Sequence, residues 1–224
     1  QLLFYGVGVA GGETWLWVLK SVLLLAAFVP VDGLLRDRDA SPLARAGALA
    51  IWTAAMVHQA DLRADLVSTA FFAWLLRRLE SGRASFLFGF GLFAFWSNLH
   101  AGFALGIFLY ALYALASRFA GGRRPDGLAA EAAGAVLGSL LNPYGIGLYR
   151  VLLAHATEPA MARFVMEWGP PNWRRAFQIP LLAALAETAA AVFSARKRLP
   201  GTLAAAALVL GLATAASARF GAYF

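Results

Sequence analysis

The 34 residues between Arg83 and Arg118 include no Asp, Glu, Lys or Arg, and this run constrains the fold more than any other feature. As one helix it would be about 51 Å long at 1.5 Å per residue, whereas the hydrocarbon core of a bilayer is about 30 Å thick. The polar cluster Ser97-Asn98-Leu99-His100 interrupts the run, so we expect the chain to turn there. The run therefore predicts two short membrane crossings, at about 85–96 and 102–117, or a re-entrant hairpin.

Composition places the whole chain in the membrane class. Hydrophobic residues make up 61% of the 224 residues, charged residues make up 14%, and mean hydropathy is +0.67. A soluble domain of this size could not bury so much apolar side chain, so we predict an all-α, polytopic transmembrane helical bundle. The net charge of +7 comes from short basic clusters between apolar runs, which favours membrane topology over a nucleic-acid partner. The absence of cysteine excludes disulfides and thiolate-ligated metals.

Apolar runs bounded by charged residues, glycine and proline predict about eight spans in a single transmembrane domain, 1–224. The predicted spans are 15–35, 41–57, 62–79, 85–96, 102–117, 127–141, 178–195 and 201–216. Ser41 and Pro42 predict a capped helix start. Between the sixth and seventh spans we predict an extracytoplasmic loop, 142–177, that contains a short helix. The chain begins at Gln1 and closes on the start of another apolar segment, so we interpret it as a fragment truncated at both ends.

Alternating these spans across a bilayer sorts the basic residues. One side receives 12 of the 19, and the positive-inside rule makes that side cytoplasmic. These twelve are Arg36, Arg38, Arg45, Arg77, Arg78, Arg83, Arg118, Arg123, Arg124, Arg196, Lys197 and Arg198. A single crossing between Arg83 and Arg118 would separate two of these clusters, so the sorting also supports the hairpin.

The opposite face collects polar and aromatic residues from five separate segments, and these are the candidate substrate-binding residues. They are Asp61, Arg63, Asp65, Asn98, His100, Asn142, Tyr144, Glu167, Trp168 and Arg219. Convergence of separate segments on one face indicates function more strongly than any single residue does, because ionisable groups at membrane depth are costly.

Each candidate also has a structural interpretation. Asp61 and Asp65 fit a helix N-terminus, and Arg63 fits a side chain that reaches toward lipid headgroups. Asn98 and His100 fit a polar turn. Asn142 and Tyr144 belong to a turn signature, Asn-Pro-Tyr-Gly, and Trp168 fits an interfacial aromatic. A stacking surface for a sugar ring, with Glu167 as an acceptor, is the functional alternative.

Two further predictions concern groups inside or between spans. Glu131 and Glu187 lie within apolar spans, and we predict polar contacts between helices rather than a proton path, because no acidic chain links them. His58 and His155 make no ligand spacing with His100, so we predict no metal site. The sequence predicts no organic cofactor and leaves a divalent metal open.

The order of these segments resembles the GT-C superfamily of polytopic membrane glycosyltransferases, and more narrowly a bacterial branch of it. The resemblance spans nearly the whole chain. Ala64 stands where that branch has Pro, and Ala101 stands where it has the first Gly of a Trp-x-Asn-x-His-Gly-Gly-Phe block. The matching segments are Leu62-Arg63-Ala64-Asp65, Trp96-Ser97-Asn98-Leu99-His100-Ala101-Gly102-Phe103, Leu141-Asn142-Pro143-Tyr144-Gly145, Glu167-Trp168 and Arg219-Phe220.

The resemblance implies an enzyme of the bacterial inner (plasma) membrane that takes a polyprenyl-phosphate sugar donor at its extracytoplasmic face, amid membrane lipid. It implies that Arg63 and Arg219 pair with the lipid phosphate, and that Asn98, His100, Tyr144 and Glu167 contact the sugar. The acidic catalytic base of such enzymes lies in a loop that would precede Gln1, so the resemblance assigns no catalytic residue to this chain. The alternatives are a transporter or flippase subunit for a lipid-linked substrate, and a noncatalytic membrane scaffold.

Overall fold

A computed structural model describes residues 2–55, 64–119, 126–158, 170–172, 174, 178–195 and 200–216. These residues form α-helices and contain no strand, so the all-α prediction is confirmed for the described part of the chain. In chain order the helices are α1 Leu2–Arg36, α2 Pro42–Ala55, α3 Ala64–Glu80, α4 Phe86–Leu99, α5 Phe103–Phe119, α6 Leu128–Ser139, α7 Gly147–Thr157, α8 Ile179–Ala195 and α9 Gly201–Ala216.

Local sequence signals account for some of the helix ends. The hydroxyl of Ser41 accepts a hydrogen bond from the backbone N–H of Ala44 at 3.2 Å, so the predicted cap of α2 is confirmed. Gly11 and Gly12 have non-helical backbone angles and divide α1 into two helical parts. The turn that follows α6 contains Gly145 with φ of +49°, and α7 begins at Gly147.

The described residues differ from the prediction at the end of α4. Ser97 and Asn98 lie in the last turn of this helix, and the chain turns only at His100. The helix extends this far because the Asn98 side chain donates to the carbonyl oxygens of Ala94 at 2.8 Å and of Leu141 at 2.7 Å. A contact from another part of the chain therefore supports a turn of helix that local polarity alone would have ended.

One helix of the described residues, Leu3–Arg36, is long and apolar enough to cross a membrane: it has 34 residues, and an 18-residue stretch within it has a mean hydropathy of 2.0. Its apolar side chains are largely exposed; Leu25, for example, is 62% exposed. Five shorter apolar helices accompany it. α4 and α5, at 14 and 17 residues, are about 21 and 26 Å long, which agrees with the predicted shortness of the hairpin. The number of crossings, about eight, stays a prediction.

The chain divides into two compact units. The first takes its described residues from 1–49, 59–107 and 125–143, and contains α1, α3, α4 and α6. The second takes them from 50–58, 108–124 and 144–224, and within it α8 packs on α9. Leu181 and Ala184 of α8 are buried there.

Within the first unit, α4 and α6 are parallel and in close contact. A Cβ atom added to Gly134 would lie 2.3 Å from the carbonyl oxygen of Phe86, and one added to Gly138 would lie 2.1 Å from that of Phe90. The partners advance together along both helices, so the helices point the same way. Gly134 and Gly138 form a small-xxx-small spacing, which permits such close approach in membrane helix pairs.

The polar contacts within the first unit form two groups, one at each end of its helices. At the arginine end, Arg77 lies 3.5 Å from Asp37, Arg38 pairs with Glu80, and Asp32 accepts from both Arg36 and Arg45. The arginine end is defined by Asp32, Arg36, Asp37, Arg38, Arg45, Arg77, Arg78, Glu80, Arg83, Ser85 and Glu131. The clusters around Arg36 and Arg77 therefore lie together, as alternating spans predict.

A buried ion pair links three helices at the arginine end. Glu131 of α6 is fully buried, and Arg78 of α3 donates to its carboxylate at 3.0 Å. The backbone N–H of Ser85, at the start of α4, donates to the same carboxylate oxygen. The Arg78 guanidinium also lies 3.9 Å from the centroid of the Phe88 ring. The predicted helix-to-helix polar contact of Glu131 is confirmed.

Candidate functional site

The candidate site lies at the other end of the first unit, where the first turn of α3 meets the turn between α4 and α5. We call this the histidine end; it is defined by Asp65, Ser68, Trp96, Asn98, His100, Gly102, Leu141 and Asn142. α3 runs from this end to the arginine end, and α4 and α6 run back. Residues from three separate chain segments therefore meet at the histidine end.

A chain of hydrogen bonds joins α3 to the α4–α5 turn. His100 Nε2 lies 2.9 Å from an Asp65 carboxylate oxygen, and His100 Nδ1 lies 2.7 Å from the Ser68 hydroxyl. The indole N–H of Trp96 donates to that hydroxyl at 2.8 Å, and the backbone N–H of Gly102 donates to His100 Nδ1 at 3.0 Å. The cluster thus fixes both nitrogens of the imidazole.

The side chains of this cluster differ in their exposure to solvent. The side chains of Ser68 and Trp96 are fully buried, and the Trp96 ring packs against Phe93 and Phe71 at centroid distances of 5.3 and 5.6 Å. The side chain of His100 is 15% exposed and that of Asp65 is 25% exposed. Asp65 is therefore the member of the cluster that offers the most surface to a ligand.

Asp65, His100 and Ser68 have the residue types of a hydrolytic triad, but their arrangement excludes that chemistry. The nucleophile of a triad must reach a substrate carbonyl, whereas Ser68 is fully buried. Its hydroxyl also accepts the Trp96 N–H. Ser68 is consequently an internal hydrogen-bonding group.

The second part of the histidine end is the contact of α4 with the segment after α6. Asn98 is exposed and donates to the Leu141 carbonyl, and the Asn142 side chain donates to the Ser139 carbonyl at 2.7 Å. These bonds use the amide N–H groups of both side chains, so the carboxamide oxygens of Asn98 and Asn142 take no part in them.

Five of the ten predicted site residues lie within the described part of the chain. Asp65 and His100 form a pair, and Asn98 contacts the segment that contains Asn142. Tyr144 belongs to the second unit and is 72% exposed. The other five, Asp61, Arg63, Glu167, Trp168 and Arg219, lie outside the described residues.

Sequence reasoning missed Ser68 and Trp96 as members of the cluster. Two spacings could have identified them: Ser68 follows Asp65 by three positions on α3, and His100 follows Trp96 by four positions. Among the described residues, no three His, Asp or Glu side chains are grouped to hold a metal ion.

Comparisons of the chain with protein-family models, with curated proteins and with solved structures find no match.

Proposed function

We propose that the intact protein is a membrane-embedded glycosyltransferase that uses a polyprenyl-phosphate-linked sugar at its histidine end. The observation that supports this most is the convergence of Asp65, Asn98, His100 and Asn142 from three chain segments. This end of the first unit is remote along α3 from the paired arginines. A polar site of this kind at one end of apolar helices suits a substrate with a polar head and a lipid tail.

The residue types at the histidine end suit a sugar. A carboxylate accepts hydrogen bonds from sugar hydroxyls, and a carboxamide oxygen accepts them while its N–H groups hold the backbone. Asp65 and Asn98 are both accessible to solvent. Binding sites for small polar ligands combine a few oriented groups of this sort with apolar walls.

The lipid phosphate requires positive charge, and Arg63 and Arg219 are the groups that we assign to it. A guanidinium binds phosphate through two parallel hydrogen bonds, and it stabilises the charge that develops as the phosphate leaves. Glu167 and Trp168 would complete the sugar contacts, with Trp168 as a stacking face.

A release assay on the intact protein in lipid vesicles tests this proposal. The probes are undecaprenyl phosphates that carry radiolabelled glucose, mannose or galactose, and membranes of the native cell supply the acceptor hydroxyl groups. In the transfer, the bond from the anomeric carbon to the phosphate oxygen breaks, a bond from that carbon to the acceptor oxygen forms, and the acceptor proton passes to the undecaprenyl phosphate that is released. The measurements are the radiolabel on the acceptor and the release of undecaprenyl phosphate. We expect Arg63→Ala and Arg219→Ala each to lower kcat/KM by tenfold or more, since one charge-assisted hydrogen bond contributes about 1.5–3 kcal/mol. Arg83→Ala, at the arginine end, is the matched control and should retain wild-type rates. Absence of release from every probe by the wild-type protein would overturn the proposal.

A transporter or flippase subunit is the second candidate, and the broken helix α1 favours it, because transporters bind substrate at discontinuous helices. Such breaks lie near the bilayer midplane. Gly12 precedes Arg36 by about 24 residues, or about 36 Å of helix, which exceeds the thickness of the bilayer core. The break is therefore too far from Arg36 for a midplane site, and the glycosyltransferase ranks first. Movement of the intact sugar lipid across the vesicle membrane without release would reverse this order.

A further inference from the structure

Four hydrogen bonds join Trp96, Ser68, Gly102, His100 and Asp65, which we call the histidine cluster. Their directions follow from two groups that can only donate. The backbone N–H of Gly102 points at His100 Nδ1, so this nitrogen carries a lone pair. The indole N–H of Trp96 points at the Ser68 oxygen, so that oxygen accepts. The hydroxyl proton of Ser68 is then free to be donated to His100 Nδ1.

The proton of the neutral imidazole must consequently lie on Nε2. From there it is donated to the Asp65 carboxylate oxygen at 2.9 Å. The chain of donors therefore runs in one direction, from Trp96 through Ser68 and His100 to Asp65, and it ends on the residue with the most exposed side chain of the four.

We propose that Trp96, Ser68 and Gly102 are positioning residues that hold His100 as its Nε2–H tautomer, and that His100 thereby orients the Asp65 carboxylate to accept a hydroxyl group of the sugar. The second part rests on the proposed function. Ser68 and Trp96 act only through His100, because both are fully buried. Asp65 is the member of this chain that contacts the substrate.

The turn itself supports this arrangement. A Cβ atom on Gly102 would lie 2.3 Å from the Ser68 oxygen and 3.0 Å from His100 Nδ1, so only glycine leaves room for the cluster. The neighbouring Ala101 is exposed in the same turn. Gly102→Ala and Ala101→Gly therefore form a matched pair, in which only the first disturbs the hydrogen bonds.

Nitrogen NMR of the intact protein in lipid nanodiscs, with ¹⁵N-labelled histidine, tests the tautomer. His100→Gln identifies the His100 signals by their loss. We expect Nδ1 to be unprotonated and Nε2 protonated in the wild type and in Ala101→Gly, and a measurable population of the Nδ1–H tautomer in Gly102→Ala. A protonated Nδ1 in the wild type, or equal spectra for the two variants, would overturn the first part. The wild-type measurement does not depend on whether any variant folds.

A double-mutant cycle on kcat/KM in the release assay tests the second part. We expect Asp65→Asn to lower kcat/KM about tenfold and Ser68→Ala about threefold. The double variant should match Asp65→Asn alone, because Ser68 acts through Asp65. Additive losses would contradict this route. If the wild type released no lipid phosphate, the proposed function and the role of Asp65 would both fail, while the NMR result would still decide the tautomer.

Discussion

The carboxylate of Glu131 shows how one residue can join three helices. It is fully buried, whereas the side chain of its partner Arg78 is 24% exposed. Removing either partner leaves a charge without its counter-charge, and the cost depends on whether that charge can reach water or headgroups. The two residues of this pair are therefore not equivalent.

Arg78→Ala should destabilise the protein more than Glu131→Gln does. Loss of Arg78 removes the guanidinium that pairs with the buried Glu131 carboxylate, at a cost of about 3–5 kcal/mol. Loss of the Glu131 charge leaves an arginine that can be solvated, and glutamine still accepts the Ser85 N–H, so we expect about 1–3 kcal/mol. Thermal unfolding in detergent measures both. Arg36→Ala is the control, because its ion pair with Asp32 lies at the surface and exposed ion pairs contribute little to stability. Equal losses for Arg78→Ala and Glu131→Gln would refute the asymmetry.

At the scale of helices, the pairing of α4 with α6 depends on glycine. The added Cβ atoms at Gly134 and Gly138 would meet backbone carbonyl oxygens, which cannot move as a flexible side-chain end can. Gly91 of α4, in contrast, has no atom within 4 Å of its added Cβ. Substituting alanine for glycine should therefore change the stability in opposite directions at different positions of this helix pair.

Gly138→Ala should lower the free energy of unfolding by about 1–3 kcal/mol, because the helices must separate to admit the methyl group. Gly91→Ala should raise it by about 0.5–1 kcal/mol, because alanine is the better helix former. Thermal unfolding of the two variants side by side gives the comparison. A Gly138→Ala protein as stable as Gly91→Ala would show that the close contact is not needed for stability.

Sequence reasoning predicted the helices more fully than their pairing. Charges, proline and glycine mark where helices begin and end, as at Ser41 and Pro42, because these effects act within a few residues. Parallel packing of α4 on α6 depends on contacts between residues far apart in the chain, and no local signal specifies it. The same holds for the candidate site. The polar residues Asp65 and His100 were predicted from the sequence, whereas their buried partners Ser68 and Trp96 were not.

At the scale of the whole molecule, the two ends of the first unit carry opposite chemistry. The arginine end is rich in ion pairs, and the histidine end holds the candidate site. α3 and α4 each connect the two ends. If the hairpin crosses the membrane, these ends lie in different compartments.

The accessibility of single cysteines checks this arrangement, and the chain offers a clean background because it contains no cysteine. Ser81 and Ala101 are exposed and lie at the two ends of α4. With a membrane-impermeant maleimide on intact cells, Ala101→Cys should be labelled from outside, and Ser81→Cys only after the cells are opened. Unsubstituted protein serves as the control. Labelling of both from one side would instead support the re-entrant hairpin.

Parallel packing of α4 on α6 also has a consequence for synthesis. α5 and the residues that follow it lie between the two partners in the chain, so α4 leaves the ribosome well before Gly134 and Gly138 of α6, against which it packs. Before α6 emerges, α4 and its turn can already bind α3, through the contacts of Trp96 and His100 with Ser68. The histidine cluster is thus available to hold an early helix pair together while the third member is still being translated.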